Sequence, residues 1–346
     1  MRSIVMPRRL QEQACLKAVA SAQWLGVALT VVVLLAVGLS PAVADKDPYD
    51  IMYDAIMSKG NVNYSAERVV HFYQEGRRTR TVRQRMYRKR GDKLHVQALE
   101  PASEAGQLVV SNGQWLWEYS PQRREVIQRQ LQPAAVRRSN RQRSAELIRK
   151  MLLLQYGGRA TVASRPAHQL AIRDESDRLL RKCWIDTGTN VELKLEKHGG
   201  NGALCMQTEI TSIDYSPSFV AGMFDFTVPA GVVLKRAPAP AKRMSLAAAE
   251  QVARFRAVLP GYMPPSYVFE SDNVAVTTYK NMATLWLTFS NGLDGFSLFE
   301  TRQEHTATAA QQQRSATQWY SDGICFTLVG DLTAAEIEKL MKSLKQ

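Results

Sequence analysis

The sequence predicts an α+β protein: a large, curved antiparallel sheet, a half-barrel with helices on its concave face, followed by a second, smaller α+β unit. Three observations carry that expectation. Short segments rich in valine, β-branched and aromatic residues follow one another between turn signals such as Glu75-Gly76, Gly91-Asp92 and Asn112-Gly113, the pattern of antiparallel neighbours. Helical spacing of apolar residues breaks that pattern in only a few places. Finally, "RAPAPAKRMS" interrupts the chain, and helix and strands then begin again.

At the start, Arg2, Arg8, Arg9 and Lys17 precede an uncharged run from Ala18 to Ala44 that ends in "PAVAD". A basic beginning, an apolar core and small residues at Ala42 and Ala44 describe a secretory signal peptide over residues 1–44. The run is also long enough to persist as a membrane anchor. Either outcome delivers the bulk of the chain outside the cytoplasm, so a periplasmic or other extracytoplasmic location is expected.

The large unit, residues 45–234, opens with an amphipathic helix in "DPYDIMYDAIMSKG", where Ile51, Ala55 and Ile56 lie near one face and Gly60 caps the end. Strands are expected at "ERVVHFYQ", "RTVRQRMYR", "KLHVQALE", "QLVVSN", "QWLWEYSP" and "REVIQRQL". The segment "SAELIRKMLLLQYGG" then predicts a second helix, with Ser144 as N-cap, Leu147, Ile148, Met151, Leu152 and Leu154 on the apolar face, and Gly157 as terminator. Strands resume at "HQLAIRDE", and two hairpins follow, turning at "DTGTN" and "HGGNG". Cys183 and Cys205 fall on strands separated by a third, so no disulfide is expected between them: two strand spacings of about 4.8 Å each exceed the reach of the bond.

Alternating proline and alanine cannot form a ladder, so residues 235–244 read as a linker. The small unit, 245–346, begins with a helix in "SLAAAEQVARFRAV". Strands follow at "SYVFESDN", "ATLWLTFSN", "GFSLFETR", "TQWYSD" and "ICFTLVGD". It closes on "TAAEIEKLMKSLKQ", where Thr333 and Glu336 match a capping box and Ile337, Leu340, Met341 and Leu344 share a face.

Catalytic motifs are missing. The histidines at 71, 95, 168, 198 and 305 have no ligand spacing, no C-x-x-C or G-x-S-x-G occurs, and "GGNG" lies in a hairpin. Asp174, Glu175 and Asp177 read as a solvated turn. A binding protein with no metal and no cofactor is expected. By period two, Trp115, Trp117 and Tyr119 share a face, which Leu108 and Val110 can join from the neighbouring strand. With Val82, Met86 and Met151 they outline a slot for a lipid or lipoprotein acyl chain or a partner's apolar segment. The same stripe is also the pattern of ordinary core packing.

The formal charge of the whole chain is +13, and residues 75–149 concentrate it with seventeen Lys/Arg against seven Asp/Glu. An exported protein meets no chromosome, so nucleic acid is excluded and an anionic membrane surface or an acidic protein is the expected counterpart, with a merely solvated face as the alternative. On "RRTRTVRQRMYRKR", Val82 and Met86 should turn inward and Arg83, Arg85 and Lys89 outward. The following loop, "RQLQPAAVRRSNRQRS", would add Arg137, Arg138 and Arg141 to form a positive mouth at one rim.

The stretches "SNGQWLWEYSPQRREVI" and "FDFTVPAGVVL" resemble the LolA-like fold of bacterial lipoprotein carriers. "LPGYMPPSYVF", "LTFSNGLDGFSLFE" and "FTLVGDLTAAEIEKLMKSL" are similar to the C-terminal domain of the MucB/RseB family, periplasmic regulators of envelope-stress sigma factors. The polar, Gln-rich stretch from Thr306 to Ser321 and the Arg-rich hairpin depart from that family's pattern. The resemblance implies a two-domain stress-response sensor, not an enzyme, whose large domain takes a lipid-like ligand and whose two domains hold the periplasmic segment of a membrane anti-sigma factor. A periplasmic lipoprotein or lipid carrier is the alternative it leaves open.

Overall fold

Asp47 starts the first helix: its carboxylate accepts the Tyr49 N–H at 2.8 Å, and proline at the first position needs no partner for a missing N–H. This helix, α1 (Pro48–Ser58), buries Ile51, Met52, Ala55 and Ile56. The computed structural model describes residues 46–279, 281–302, 311–313 and 316–344, which belong to one compact unit. The expected signal segment lies outside the described residues.

A meander of six strands comes next: β1 (Tyr64–Gln74), β2 (Arg77–Lys89), β3 (Lys93–Glu100), β4 (Leu108–Asn112), β5 (Trp115–Ser120) and β6 (Glu125–Gln130). The β1–β2 hairpin turns on Glu75 and Gly76, both at positive φ (50° and 75°), the geometry that matches the twist of the flanking strands. After α2 (Ala134–Met151), a second meander comprises β7 (Leu153–Val162), β8 (Arg165–Arg173), β9 (Leu179–Asp186), β10 (Glu192–His198) and β11 (Leu204–Asp214). Pairing of β1 with β11 joins the two meanders, and β12 (Val233–Arg236) adds in parallel to β6. The result is an open twelve-stranded sheet, antiparallel apart from that last pair, in the order β12-β6-β5-β4-β3-β2-β1-β11-β10-β9-β8-β7.

Helix α2 departs from the expected boundaries at both ends. The basic loop expected before Ser144 is helical from Ala134, and Arg137 donates its N–H to Pro133 O at 3.0 Å. The expected terminator at Gly157 lies inside β7, because Leu152 turns extended (φ −125°, ψ 153°) and the following backbone pairs with β8, Leu154 opposite Ile172. Leu152 and Leu154 reach the same core on either path, so apolar spacing alone could not choose between helix and strand.

The second sheet contains β13 (Arg243–Met244), β14 (Val268–Phe269), β15 (Val274–Tyr279), β16 (Met282–Ser290), β17 (Gly295–Arg302), β18 (Gln311–Gln313), β19 (Ala316–Ser321) and β20 (Ile324–Gly330). Their order is β13-β15-β16-β17-β20-β19-β18, with β14 on β16. Helices α3 (Leu246–Ala253) and α4 (Ala334–Ser343) cover it, Ala249, Ala253 and Leu340 packing on Leu285, Leu287, Phe296 and Leu328. Phe289 and Phe296 face each other across β16 and β17 with rings 4.6 Å apart and 4° from parallel. Both halves of the capping box on α4 are present: Glu336 N–H donates to Thr333 Oγ1 at 3.2 Å, and Thr333 N–H donates to the Glu336 carboxylate at 2.8 Å.

Side chains of the first sheet reach across to the second. Arg181 donates to Asp294 at 2.7 Å and to Leu293 O at 3.0 Å. Arg178 joins Asp174 at 2.8 Å to Glu336 at 3.2 Å, and Lys197 meets Asp331 at 3.0 Å. Contact there is close: a Cβ on Gly292, whose φ is +89°, would stand 2.4 Å from Ser144 O.

Candidate functional site

Strand register decides which predicted site residues can act together. Met86 pairs with Ala66 on β1 and Val96 on β3, and Val96 in turn with Val109 on β4. Side chains of Ala66, Met86, Val96 and Val109 therefore share one face. Leu108 and Val110 take the other, opposite Gln97 and His95, and pass it to Tyr119 and Trp117 on β5. Thus the aromatic stripe and the Val82–Met86 pair lie on opposite faces of the sheet, and the single slot expected from them does not assemble. Periodicity places residues within a strand, whereas the connection between β3 and β4 sets the phase between strands.

The face that carries Trp117 is covered from within the chain. The segment between β11 and β12 crosses it, and Trp117, Val110 and Val126 pack with Phe226, Val228, Val232 and Leu234, along with Leu108, Trp115 and Tyr119. His95 Nδ1 lies 2.9 Å from Met223 O, and Lys89 Nζ sits 5.6 Å above the Phe219 ring. Val82 packs instead with Val70 and Ala98, Met86 with Tyr64, Ala66 and Val96, and Met151 beside Ile148 and Leu152.

Alternation on β2 is as the sequence requires: Val82 and Met86 are each 3% exposed, while Arg83, Arg85 and Lys89 are open to solvent. The positive mouth does not form. Arg83 meets Glu100 at 3.1 Å and Glu67 at 3.8 Å, and Arg85 meets Glu67 at 3.0 Å. Arg137 and Arg141, one helical turn apart on α2, converge on Asp92 at 2.9 and 3.2 Å, and Arg138 points to solvent. Helix α2 packs through Ala145 and Ile148 on the Cys183 side of the sheet. Register carries that side from Cys183 through Leu195, Thr208 and Val70 to Val82, so the two basic clusters lie on opposite faces. The alternation is correct along β2, but the helical geometry of residues 134–143 takes their arginines elsewhere.

The helix side holds two neighbouring cavities. One, of about 220 Å³, lies between the end of α1 and the sheet and is lined by Ala55, Val62, Tyr64, Arg68, Met86, Arg88, Glu192, Leu193 and Ile210. The second, of about 350 Å³, runs under α2 to the β16–β17 turn, with Met52, Ile56, Arg137, Arg141, Ile148, Arg181 and Leu293 in its wall. Lys59 and Glu192 belong to both. Walls that mix apolar side chains with guanidinium, ammonium and carboxylate groups suit an amphiphile with an anionic end or an amphipathic segment of a partner. Burial lowers the pKa of Arg68 and pushes the Cys183 thiol upward, so neither side chain is well solvated. Of the predicted residues, Met86, Arg137 and Arg141 line these cavities. Arg68 and Arg88 were missed, although a basic residue in phase with the inward Ala66 and Val70 was the available signal.

Cys183 and Cys205 flank β10, as the hairpin pattern requires; the Cys205 thiol donates to Lys197 O at 3.2 Å. Among the described residues, no helix is long and apolar enough to cross a membrane.

No protein-family model and no curated protein sequence matches the chain. Solved structures do. A chain of the Pseudomonas aeruginosa MucA/MucB complex aligns with a TM-score of 0.56 at 15% identity, over 87% of this chain and 98% of that one. The structure of MucB in complex with MucA(peri) gives 0.54 at 15% identity, over 86% and 98%. The shared region is too long for either sheet alone to supply, and the chain has the fold of MucB through both sheets.

Proposed function

We propose that this protein is a non-enzymatic, extracytoplasmic regulator that binds the periplasmic segment of a membrane anti-sigma factor and takes a lipid-like ligand on the helix side of its large sheet. The observation that carries the reading is the extent of the likeness: 86% of the chain, more than either sheet alone supplies, aligns with a protein crystallised in complex with MucA. The helix-side cavities supply room for a ligand, and the basic segment and uncharged run at residues 1–44 have the pattern of an export signal.

Binding of the purified protein to the periplasmic segment of the anti-sigma factor from its own organism tests this directly. Calorimetry should give a one-to-one complex, and a lipid-like ligand should weaken it. If the segment does not bind, while the protein moves lipoproteins between membranes, the lipid or lipoprotein carrier reading takes its place.

A further inference from the structure

Arg68 lines the smaller cavity, where its guanidinium is held by a neutral side chain: Gln84 Oε1 accepts from Nε at 3.0 Å and from Nη2 at 2.5 Å. Among the described residues no carboxylate forms an ion pair with it. Loss of hydration lowers its affinity for its proton, and a cation withdrawn from water without a counter-ion is unfavourable. Gln84 can orient the group but cannot balance its charge.

The surroundings say what could. Arg88 stands in the same wall, opposite Tyr64 on the adjacent strand, so a second guanidinium faces the same space. Two acidic residues also line the cavity, although strand alternation turns the Glu209 carboxylate to the face opposite Thr208 and Ile210. Glu209 is engaged by Lys194 at 3.0 Å, and Glu192 makes no ion pair with Arg68. Val62, Met86 and Leu193 complete an apolar wall. At about 220 Å³ the cavity has roughly seven times the volume a water molecule occupies in the liquid, room for a headgroup and the first part of a chain.

We propose that this cavity is an oxyanion site, in which Arg68, steered by Gln84 and assisted by Arg88, receives the carboxylate or phosphate of an amphiphile whose apolar part lies along Val62, Met86 and Leu193. Guanidinium groups suit both anions because their parallel N–H groups match the spacing of two oxygens. The inference rests on the ligand-taking half of the proposed function and requires no protein partner.

The test is titration of the purified protein, without any anti-sigma segment, with dodecanoate and with dodecyl phosphate below their micellar concentrations. Dodecyltrimethylammonium and inorganic phosphate serve as comparisons. At least one anionic amphiphile should bind one-to-one and more tightly than either comparison; which one binds identifies the anion as carboxylate or phosphate. Arg68→Gln should weaken that binding by about tenfold or more, the loss of a charge-assisted hydrogen bond. Arg68→Lys, which keeps the charge and loses the fork, should weaken it less. Glu192→Gln should tighten it, by removing a like charge from the ligand's neighbourhood; this variant and Arg68→Lys decide the matter if Arg68→Gln does not fold.

Equal binding of the cationic amphiphile, no binding of either anion, or an unchanged affinity in Arg68→Gln would overturn the proposal and leave Arg68 balanced through water by Glu192. Inorganic phosphate binding as tightly as dodecyl phosphate would overturn its apolar half. Capture of the anti-sigma segment is measured separately, so failure there and failure here remain distinct.

Discussion

Trp117 stacks on Phe226, ring centroids 6.3 Å apart and planes inclined by 30°. Tyr119 meets the same ring at 5.8 Å, so one phenylalanine from the segment before β12 closes the aromatic stripe of β5. Phe226 is only half-buried, so Phe226→Ala should cost less than the roughly 3–5 kcal/mol of emptying a fully buried aromatic site, about 1–3 kcal/mol. Denaturant unfolding measures the loss, and a red shift of tryptophan emission in the folded variant should report the uncovered Trp117.

Glu300 on β17 is fully buried; its Oε2 accepts the Val258 N–H at 3.0 Å, and Oε1 has no partner among the described residues. Burial pushes its pKa from the ordinary 4.5 up to about 8, the Val258 hydrogen bond opposing the rise and the Glu250 charge adding to it. A carboxyl with a raised folded-state pKa contributes stability that is full below about pH 4.5 and is lost as the pH climbs through about 8. Melting temperature should therefore fall across that window, by an amount equivalent to about a few kcal/mol. Glu300→Gln, which cannot ionise and still accepts from Val258, should flatten the profile and melt higher than the parent at pH 8.

Arg83 and Arg85 have side chains 49% and 48% exposed, and they share Glu67. Exposed pairs contribute about 0–1 kcal/mol, so changing both to glutamine should move the melting temperature little. Reversal to glutamate sets like charges against Glu67 and Glu100, and should destabilise slightly more. Cosedimentation with anionic vesicles should drop for both variants at low salt and converge with the parent near 0.5 M salt, where screening is strong. Unchanged low-salt cosedimentation would mark the strip as a solvated face.

Residues 237–242, between β12 and β13, belong to no helix or strand. Brief trypsin treatment should cut first at Lys242 or the adjacent basic residues, consistent with a boundary between two domains there. Arg178, Arg181 and Lys197 bind Glu336, Asp294 and Asp331 across the cut. The two fragments should therefore coelute on gel filtration at low salt, and Arg181→Ala should lower the salt concentration at which they part.

Loss of the α4 cap has a smaller, local effect. Thr333→Ala removes the acceptor for Glu336 N–H and should cost about 1 kcal/mol. Thr333→Ser, which keeps the hydroxyl, should recover most of it in thermal denaturation.

The order of amino acids already encodes features whose causes lie within a few residues. The Thr333–Glu336 box, the Glu75-Gly76 turn and the alternation that buries Val82 and Met86 while exposing Arg83 and Arg85 depend on local hydrogen bonds, backbone conformation and a period of two. It also determined the succession of hairpins and the break between two sheets. Which side of the sheet each stripe occupies was set by long-range strand pairing. That choice separates Trp117, under Phe226, from Met86, beside Arg68 in a cavity below α1. The helix-to-strand switch at Leu152 was settled by pairing with β8, since either conformation buried the same leucines. The phase between strands, the path of a covering segment and the surroundings of a half-buried arginine are set by residues tens or hundreds of positions apart, and no local period records them.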